Sequence, residues 1–139
     1  MIERELKIGA LFLTLVLDDE ERLLEVKLPT QIPEQLDRAA LRELISTLAK
    51  YPLAPDPGAD FTRTVRQRMR QIPWGTAMTY REIAEELGNP KAMRAVGQAC
   101  ASNRLLIVIP CHRVVAQSGL GGFAMGLEWK QKLLELESE

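Results

Sequence analysis

The chain has 139 residues, of which 46% are apolar, enough for one domain with a real core or one domain plus a small annex. No apolar run is long enough to span a membrane and no secretory signal opens the chain, so a reducing, cytoplasmic setting is expected. Two cysteines 11 positions apart make no disulfide framework, and with a single histidine they are too few for the usual zinc site, so no metal is expected.

The net charge of −1 argues against strong non-specific DNA binding, but it conceals an asymmetry. Residues 1–59 carry 7 basic and 11 acidic side chains, residues 60–115 carry 9 and 4, and residues 116–139 carry 2 and 4. A segment of +5 therefore lies between flanks of −4 and −2, a modest basic footprint or an ordinary solvated face.

In chain order, Leu6 to Leu17 reads as a strand, Asp18-Asp19-Glu20 as a polar turn, and Leu23 to Leu28 as the returning strand of a hairpin. Leu36, Ala40, Leu41, Leu44, Ile45 and Leu48 follow at helical spacing within residues 34–50. Tyr51 to Gly58 holds three prolines and a glycine and reads as a linker. A domain boundary is placed there, giving a small hairpin-plus-helix domain over 1–58 and a mainly helical domain over 59–139. The fold class is α/β, of the α+β kind.

Phe61, Val65, Met69 and Ile72 mark one face of the next helix, with Arg63, Arg66, Arg68 and Arg70 on the other. Thr79 caps a helix over Tyr80 to Leu87, with Glu82 completing a capping box. Gly88-Asn89 ends it and Pro90 opens another helix, over about Lys91 to Ser102. Two short helices about a glycine-containing turn make a helix-turn-helix pattern. Ala92, Ala95, Gly97, Ala99 and Ala101 leave the second helix nearly bare, with Arg94 as its one central long cation. Such a surface suits a nucleic-acid groove read by shape, or equally close packing on another helix.

Leu105 to Ile109 reads as a short buried strand, and Pro110 breaks it to present Cys111 and His112, the only histidine. A free thiol is mostly protonated at neutral pH, so a nucleophilic cysteine needs a base, and histidine titrates in the right range. Neighbouring side chains on extended backbone point apart, so the pair is expected to meet through a bend or a bridging water. A third group should orient the imidazole, and the carboxylates of the last segment are the candidates. The plain alternative is an inert buried cysteine beside a surface histidine. A glycine-rich loop, Gly119 to Phe123, and a helix from about Leu127 to Glu137 complete the chain.

Several of these stretches together resemble the O6-alkylguanine-DNA alkyltransferases over residues 61–137. They are Pro110-Cys111-His112-Arg113-Val114, the run from Asn89 to Gly97, Thr79-Tyr80, Asn103 eight residues before Cys111, and Leu133 to Glu137. The resemblance implies suicide repair of duplex DNA carrying alkylated guanine, with O4-methylthymine as a second candidate substrate. It implies a monomer with no cofactor and no membrane partner, nucleoid-associated in a prokaryote. The helix-turn-helix would enter the minor groove and the damaged base would be flipped out, since its reacting atom is unreachable inside a duplex.

By the same resemblance, Cys111 would accept the alkyl group after deprotonation through water by His112, which Glu137 orients. Tyr80 would press on the 3′ phosphate and donate a proton toward guanine N3, and Asn103 would brace the turn. Arg94 would fill the vacated stack, with Lys91, Ala92, Ala95 and Gly97 against the groove. Cys111, Arg113, Val114 and Met125 would line the guanine site, the Cys111 carbonyl and Val114 amide reading the base edge.

The chain departs from the family pattern in three ways. Its N-terminal part is reduced, and the zinc-binding residues of some members are absent from it. Arg104 and Leu106 stand where two prolines are common. With Met125 where some relatives have glycine, a bulkier and more mobile rim is expected, favouring methyl over large groups such as benzyl. Three other readings remain at this level: a damage-recognition protein without transfer, a helix-turn-helix regulator with a sensing cysteine, and a Cys-His hydrolase.

Overall fold

In the computed structural model, which describes residues 1–138, the apolar stretch expected as one strand over 6–17 is two. β1 (Ile2–Ile8) and β2 (Leu11–Leu17) pair antiparallel, with Ile8 opposite Leu11 across a two-residue turn. Gly9 takes φ +58 there. Positive φ at the first central residue alone is the pattern of a type II′ turn, which glycine permits without a Cβ clash. β3 (Leu23–Lys27) pairs antiparallel with the other side of β2, so the expected hairpin is a three-stranded sheet with β2 in the centre. Leu11, Leu13, Leu15 and Leu17 of β2 are buried, whereas β1 is mostly exposed. This explains why β1 carries charges where β2 carries leucines.

Helix α1 (Arg38–Leu48) buries Leu41, Leu44 and Leu48 and is capped by the Asp37 carboxylate, which accepts from the Ala40 amide at 2.8 Å. The chain divides into two compact units, one of residues 1–55 with 104–108 and one of residues 56–103 with 109–138. The first unit therefore takes back a short piece of chain late in the sequence. Val26 of β3 bridges to Leu105 there and its amide donates to the Arg104 carbonyl. The last position of the expected second domain, 139, lies outside the described residues.

In the second unit, α2 (Asp60–Arg70) buries Val65 and Met69, with Asp60 in its first turn and Arg68 and Arg70 in its last, as the helix dipole favours. The two-residue strand β4 (Met78–Thr79) leads into α3 (Tyr80–Glu86). The capping box is complete: the Glu82 amide donates to Thr79 Oγ1 and the Thr79 amide to Glu82 Oε1, each at 3.0 Å. Gly88, at φ +78, ends α3 in a Schellman motif, its amide bonded to Glu85 O and that of Asn89 to Ala84 O. Helix α4 (Met93–Ala101) begins two residues later than expected. Pro90 and Lys91 lie in the preceding turn, which the Ala92 amide closes onto Asn89 O.

The largest departure is at 105–109, expected as a strand. It is a series of turns in which Ile107 sits buried at φ +74, costly backbone for a β-branched residue. Cys111–Arg113 then forms a single 3-10 turn, followed by β5 (Val114–Val115), which pairs parallel with β4. Helix α5 (Leu127–Ser138) buries Trp129, Lys130, Leu133, Leu136 and Glu137. No helix among the described residues is long and apolar enough to cross a membrane.

Because the capping box satisfies two amides that no helical carbonyl can reach, Thr79→Ala should cost about 1 kcal/mol in urea unfolding. An unchanged midpoint would show that the box contributes nothing to α3.

Candidate active site

Two backbone features bring the reactive groups together. The 3-10 turn puts Cys111 and His112 on tightly wound rather than extended backbone, so both are buried, at 2% and 0% exposure. Asn103 braces that turn from the end of α4. Its Nδ2 donates to the Ile109 carbonyl at 2.9 Å and to Cys111 Sγ at 3.2 Å. Glu137, three turns along α5, meets His112 Nε2 at 2.8 Å. A carboxylate can only accept, so Nε2 carries the proton and Nδ1 is the basic nitrogen. His112 Nδ1 is buried and has no hydrogen-bond partner within the protein.

Arg113, expected at the guanine site, is committed elsewhere. Its guanidinium holds both oxygens of Glu137 at 2.8 Å and donates to the Ile72 carbonyl at 2.7 Å. The Val114 amide donates to the Cys111 carbonyl, so in this structure the two backbone groups expected at the base edge are bonded to one another.

Electrostatics follow from burial. Desolvation raises the Cys111 thiol above its ordinary range, opposed by the Asn103 hydrogen bond and the Lys130 charge. Desolvation lowers His112, although Glu137 pulls the other way. Burial also disfavours the Glu137 carboxylate, but its hydrogen bonds from His112 and Arg113 outweigh that and hold it at about 2. At neutral pH the resting state is thiol, neutral imidazole and carboxylate. Cys100 is buried against Met69, its Sγ 3.4 Å from the thioether sulfur, and desolvation pushes it up to about 12.

Tyr80 is half-buried. Its hydroxyl accepts from the Gly122 amide at 3.2 Å, and burial raises its pKa, which keeps the phenol protonated. Gly121 passes so close that a Cβ there would meet the Tyr80 hydroxyl at 2.5 Å. The 119–126 loop thus rests on Tyr80, and Met125 in that loop is half-buried.

On α4, Arg94 and the preceding Lys91 are exposed, and Ala92, Ala95 and Gly97 are half-buried. A shallow groove of about 440 Å³, lined by Thr62, Ala95, Gln98, Ala101 and Ser102, runs beside this surface. The basic footprint is smaller than the sequence suggested. Arg66 is buried, bound to Asp56 at 2.8 Å and to the Ala99 carbonyl. Arg63 pairs with Asp60, Arg68 with Glu86 and Arg81 with Glu85. Arg70, Lys91 and Arg94 have no such partner among the described residues.

The sequence reading passed over Lys130, which is fully buried and donates to the carbonyls of Val114 and Gly122. The available signal was its spacing, since Lys130, Leu133 and Glu137 share one face of α5. No cluster of three His, Cys, Asp or Glu side chains among the described residues could hold a metal.

Comparison with known proteins adds three findings. A family model described as "6-O-methylguanine DNA methyltransferase, DNA binding domain" matches residues 60–139. The methylated-DNA–protein-cysteine methyltransferase of Sulfolobus acidocaldarius is 54% identical over 78 residues, 56% of this chain and 49% of that protein. The chain thus spans about half the length of that curated relative. The crystal structure of Mycobacterium tuberculosis OGT in complex with DNA superposes with a TM-score of 0.73 at 31% identity, covering 98% of this chain and 92% of the other.

The clamp on Glu137 has a consequence for acid stability. Its folded pKa of about 2 lies below the ordinary 4.5, so its contribution is complete above 4.5 and is lost as pH falls toward 2. His112, lowered from 6.5, destabilises in the same direction, because only the unfolded imidazole binds a proton readily. Glu137→Gln should therefore be less stable at neutral pH by on the order of 3 kcal/mol, with the gap closing toward pH 2. Parallel urea titrations across that range check it, and a pH-independent gap would contradict it.

Proposed function

The chain belongs to the 6-O-methylguanine DNA methyltransferase family, and we propose that it repairs DNA by taking the alkyl group of O6-alkylguanine onto Cys111, once per molecule. The observation that carries this reading is the buried line from Asn103 through Cys111 to His112 and Glu137, with the basic Nδ1 of His112 unengaged. Other cysteine nucleophiles are activated by the same set of roles: thiol, imidazole base, orienting carboxylate.

A water bridging Sγ and Nδ1 passes the thiol proton to His112, and Glu137 stabilises the imidazolium. The thiolate attacks the alkyl carbon. The S–C bond forms as the C–O6 bond breaks, and the bonding pair leaves with the guanine. Tyr80, still a phenol, supplies the proton that neutralises the departing base, and the phenolate is reprotonated from solvent. The product is a thioether, which does not hydrolyse, so the site does not regenerate. Buried near Tyr80 and the 119–126 loop, the sulfur is reached only by a base turned out of its stack.

We assign DNA docking to α3 and α4, with the bare face of α4 in the minor groove and Arg94 filling the space of the flipped base. Residues 59–139 carry binding and transfer, and residues 1–58 are accessory. The partner is duplex DNA with an alkylated guanine, bound by a monomer, at the nucleoid in a prokaryotic host. O4-methylthymine presents the same alkyl–oxygen bond and is a second candidate substrate.

Incubation with O6-methylguanine duplex, followed by intact mass and peptide mapping, tests this directly. One methyl group per molecule should appear on Cys111, and Cys111→Ser should bind DNA without transfer. Methyl on Cys100, or continued turnover as in a hydrolase, would sink the assignment.

Arg94 has its own signature. Arg94→Ala should slow transfer strongly on fully paired duplex. The loss should shrink opposite a mismatch or with the free base, where unstacking costs little. Equal losses on all three substrates would contradict a role in holding the flipped state.

A further inference from the structure

The glycine-rich loop after β5 meets Tyr80 at two consecutive residues. Gly122 donates its amide to the Tyr80 hydroxyl at 3.2 Å. Gly121 comes closer still: at φ +74, a Cβ there would stand 2.5 Å from the hydroxyl oxygen and 2.8 Å from Cε2 of the ring. Left-handed backbone and the lack of room both demand glycine at 121. At 122 neither does, since a Cβ would meet nothing within 4 Å. Gly121 is therefore fitted to Tyr80 itself, and the fit delivers the next amide to the phenol oxygen.

That oxygen is ionisable, and its surroundings make it a reluctant acid. Tyr80 faces Cys100 of α4, Cys111 of the 3-10 turn and Lys130 of α5, whose ammonium stands 5.9 Å from the ring centre. Burial raises the Tyr80 pKa, and as thiolates both cysteines would act in the same direction, whereas the Gly122 amide acts the other way. The phenol has one proton to give and two lone pairs, one of which the amide occupies. Its O–H bond therefore points away from the loop. A buried phenol gives up its proton more readily when a fixed donor already faces the charge that the proton leaves behind.

We propose that Gly121 and Gly122 are positioning residues for the proton donor: Gly121 lets the loop close on the Tyr80 ring, and the Gly122 amide aims the hydroxyl and stabilises the phenolate formed as the base departs. The proposal rests on the transfer reading above, in which Tyr80 is the donor. The Tyr80 O–H bond breaks, its bonding pair stays on the phenol oxygen, and the proton bonds to the guanine nitrogen. The amide keeps its own proton and shortens its bond to the new anion, as hydrogen bonds to charged acceptors do. Solvent then returns a proton to the phenolate.

The test removes that one N–H. Glycolic acid in place of Gly122 turns the amide between residues 121 and 122 into an ester and leaves every side chain unchanged. Single-turnover transfer from O6-methylguanine duplex is measured against DNA concentration. The maximal rate should fall about tenfold with the half-saturating concentration unchanged, as loss of a transition-state interaction requires. In the Tyr80→Phe background the same ester should have no further effect, because no oxygen is left to receive the bond. A second readout needs no DNA. With 3-fluorotyrosine at both tyrosine positions, fluorine NMR follows each phenol as pH rises. The ester should move the Tyr80 midpoint upward by about one pH unit, which is the same tenfold, while Tyr51 serves as the fixed reference.

A merely structural contact would cost the same with and without the Tyr80 hydroxyl, and that result overturns the proposal, as does an unmoved Tyr80 midpoint. If the ester variant does not fold, Gly121→Ala carries the midpoint measurement, because its Cβ would drive the hydroxyl away from the Gly122 amide. Failure of the wild-type chain to accept methyl from duplex overturns the repair reading, and the fluorine midpoint still decides whether the amide acts on Tyr80. Normal wild-type transfer with an ester effect that persists in the Tyr80→Phe background overturns this proposal alone.

Discussion

The carboxylate of Glu137 is the interaction on which the second unit's chemistry depends. One buried group accepts from His112 and from two nitrogens of Arg113, and Arg113 in turn holds the Ile72 carbonyl beyond α2. Four elements of structure are thereby fastened at one point: the 3-10 turn, β5 through its neighbour Arg113, α5, and the chain after α2. The clamp also fixes the imidazole tautomer. With Nε2 donating to Glu137, Nδ1 is left as the basic nitrogen. Removing the carboxylate would leave a buried guanidinium unpaired, a costlier change than losing one hydrogen bond.

The clamp has a chemical limit. A carboxylate shared with an arginine is a weaker base toward histidine than one that is free, and desolvation lowers His112 further. The resting site is therefore protonated at sulfur and neutral at imidazole, a state in which the thiol reacts slowly with stray alkylating agents and oxidants. On the proposed transfer, the thiol must lose its proton as the substrate enters, against the desolvation that raises it at rest. Ile107 in left-handed backbone two residues before Ile109, to which Asn103 bonds, shows that the approach to the turn is held by its surroundings rather than by local preference.

Much of this was legible in the sequence, and the exceptions have physical causes. Helices α1 to α5 announced themselves by spacing, caps and glycine stops, because those signals are local. The Thr79–Glu82 box and the Gly88 stop appear where the residues put them. The β1–β2 hairpin was hidden because Gly9 lacks a second turn residue beside it, and a run of apolar residues has no periodicity to betray a reversal. Leu105 to Ile109 read as a strand because its composition is that of one. Its actual course is set by non-local bonds, Val26 to the Arg104 carbonyl and Asn103 to the Ile109 carbonyl, which no local pattern encodes. At the site, the Cys-His pair and Glu137 were visible as residue types at plausible spacing. The duty of Arg113, the bond between Val114 and Cys111, and the burial of Lys130 depend on which atoms meet in three dimensions.

The pairing of the arginines bears on how such a unit recognises DNA. Phosphate contacts supply most non-specific affinity, and each neutralised phosphate steepens the salt dependence. In this chain Arg63, Arg66, Arg68 and Arg81 are engaged with carboxylates, and Arg113 is buried, so few cations remain free to track a backbone. The +5 of residues 60–115 thus serves internal structure more than long-range attraction. With the docking proposed for α4, a surface with little free charge and a bare helix would bind through close fit, which would favour undamaged duplex little and give damaged sites their advantage through the lower cost of turning out a weakened base pair. On the proposed single-use transfer, weak attachment to intact DNA is the useful arrangement, because it would leave the search fast and spend the nucleophile only where the base comes out.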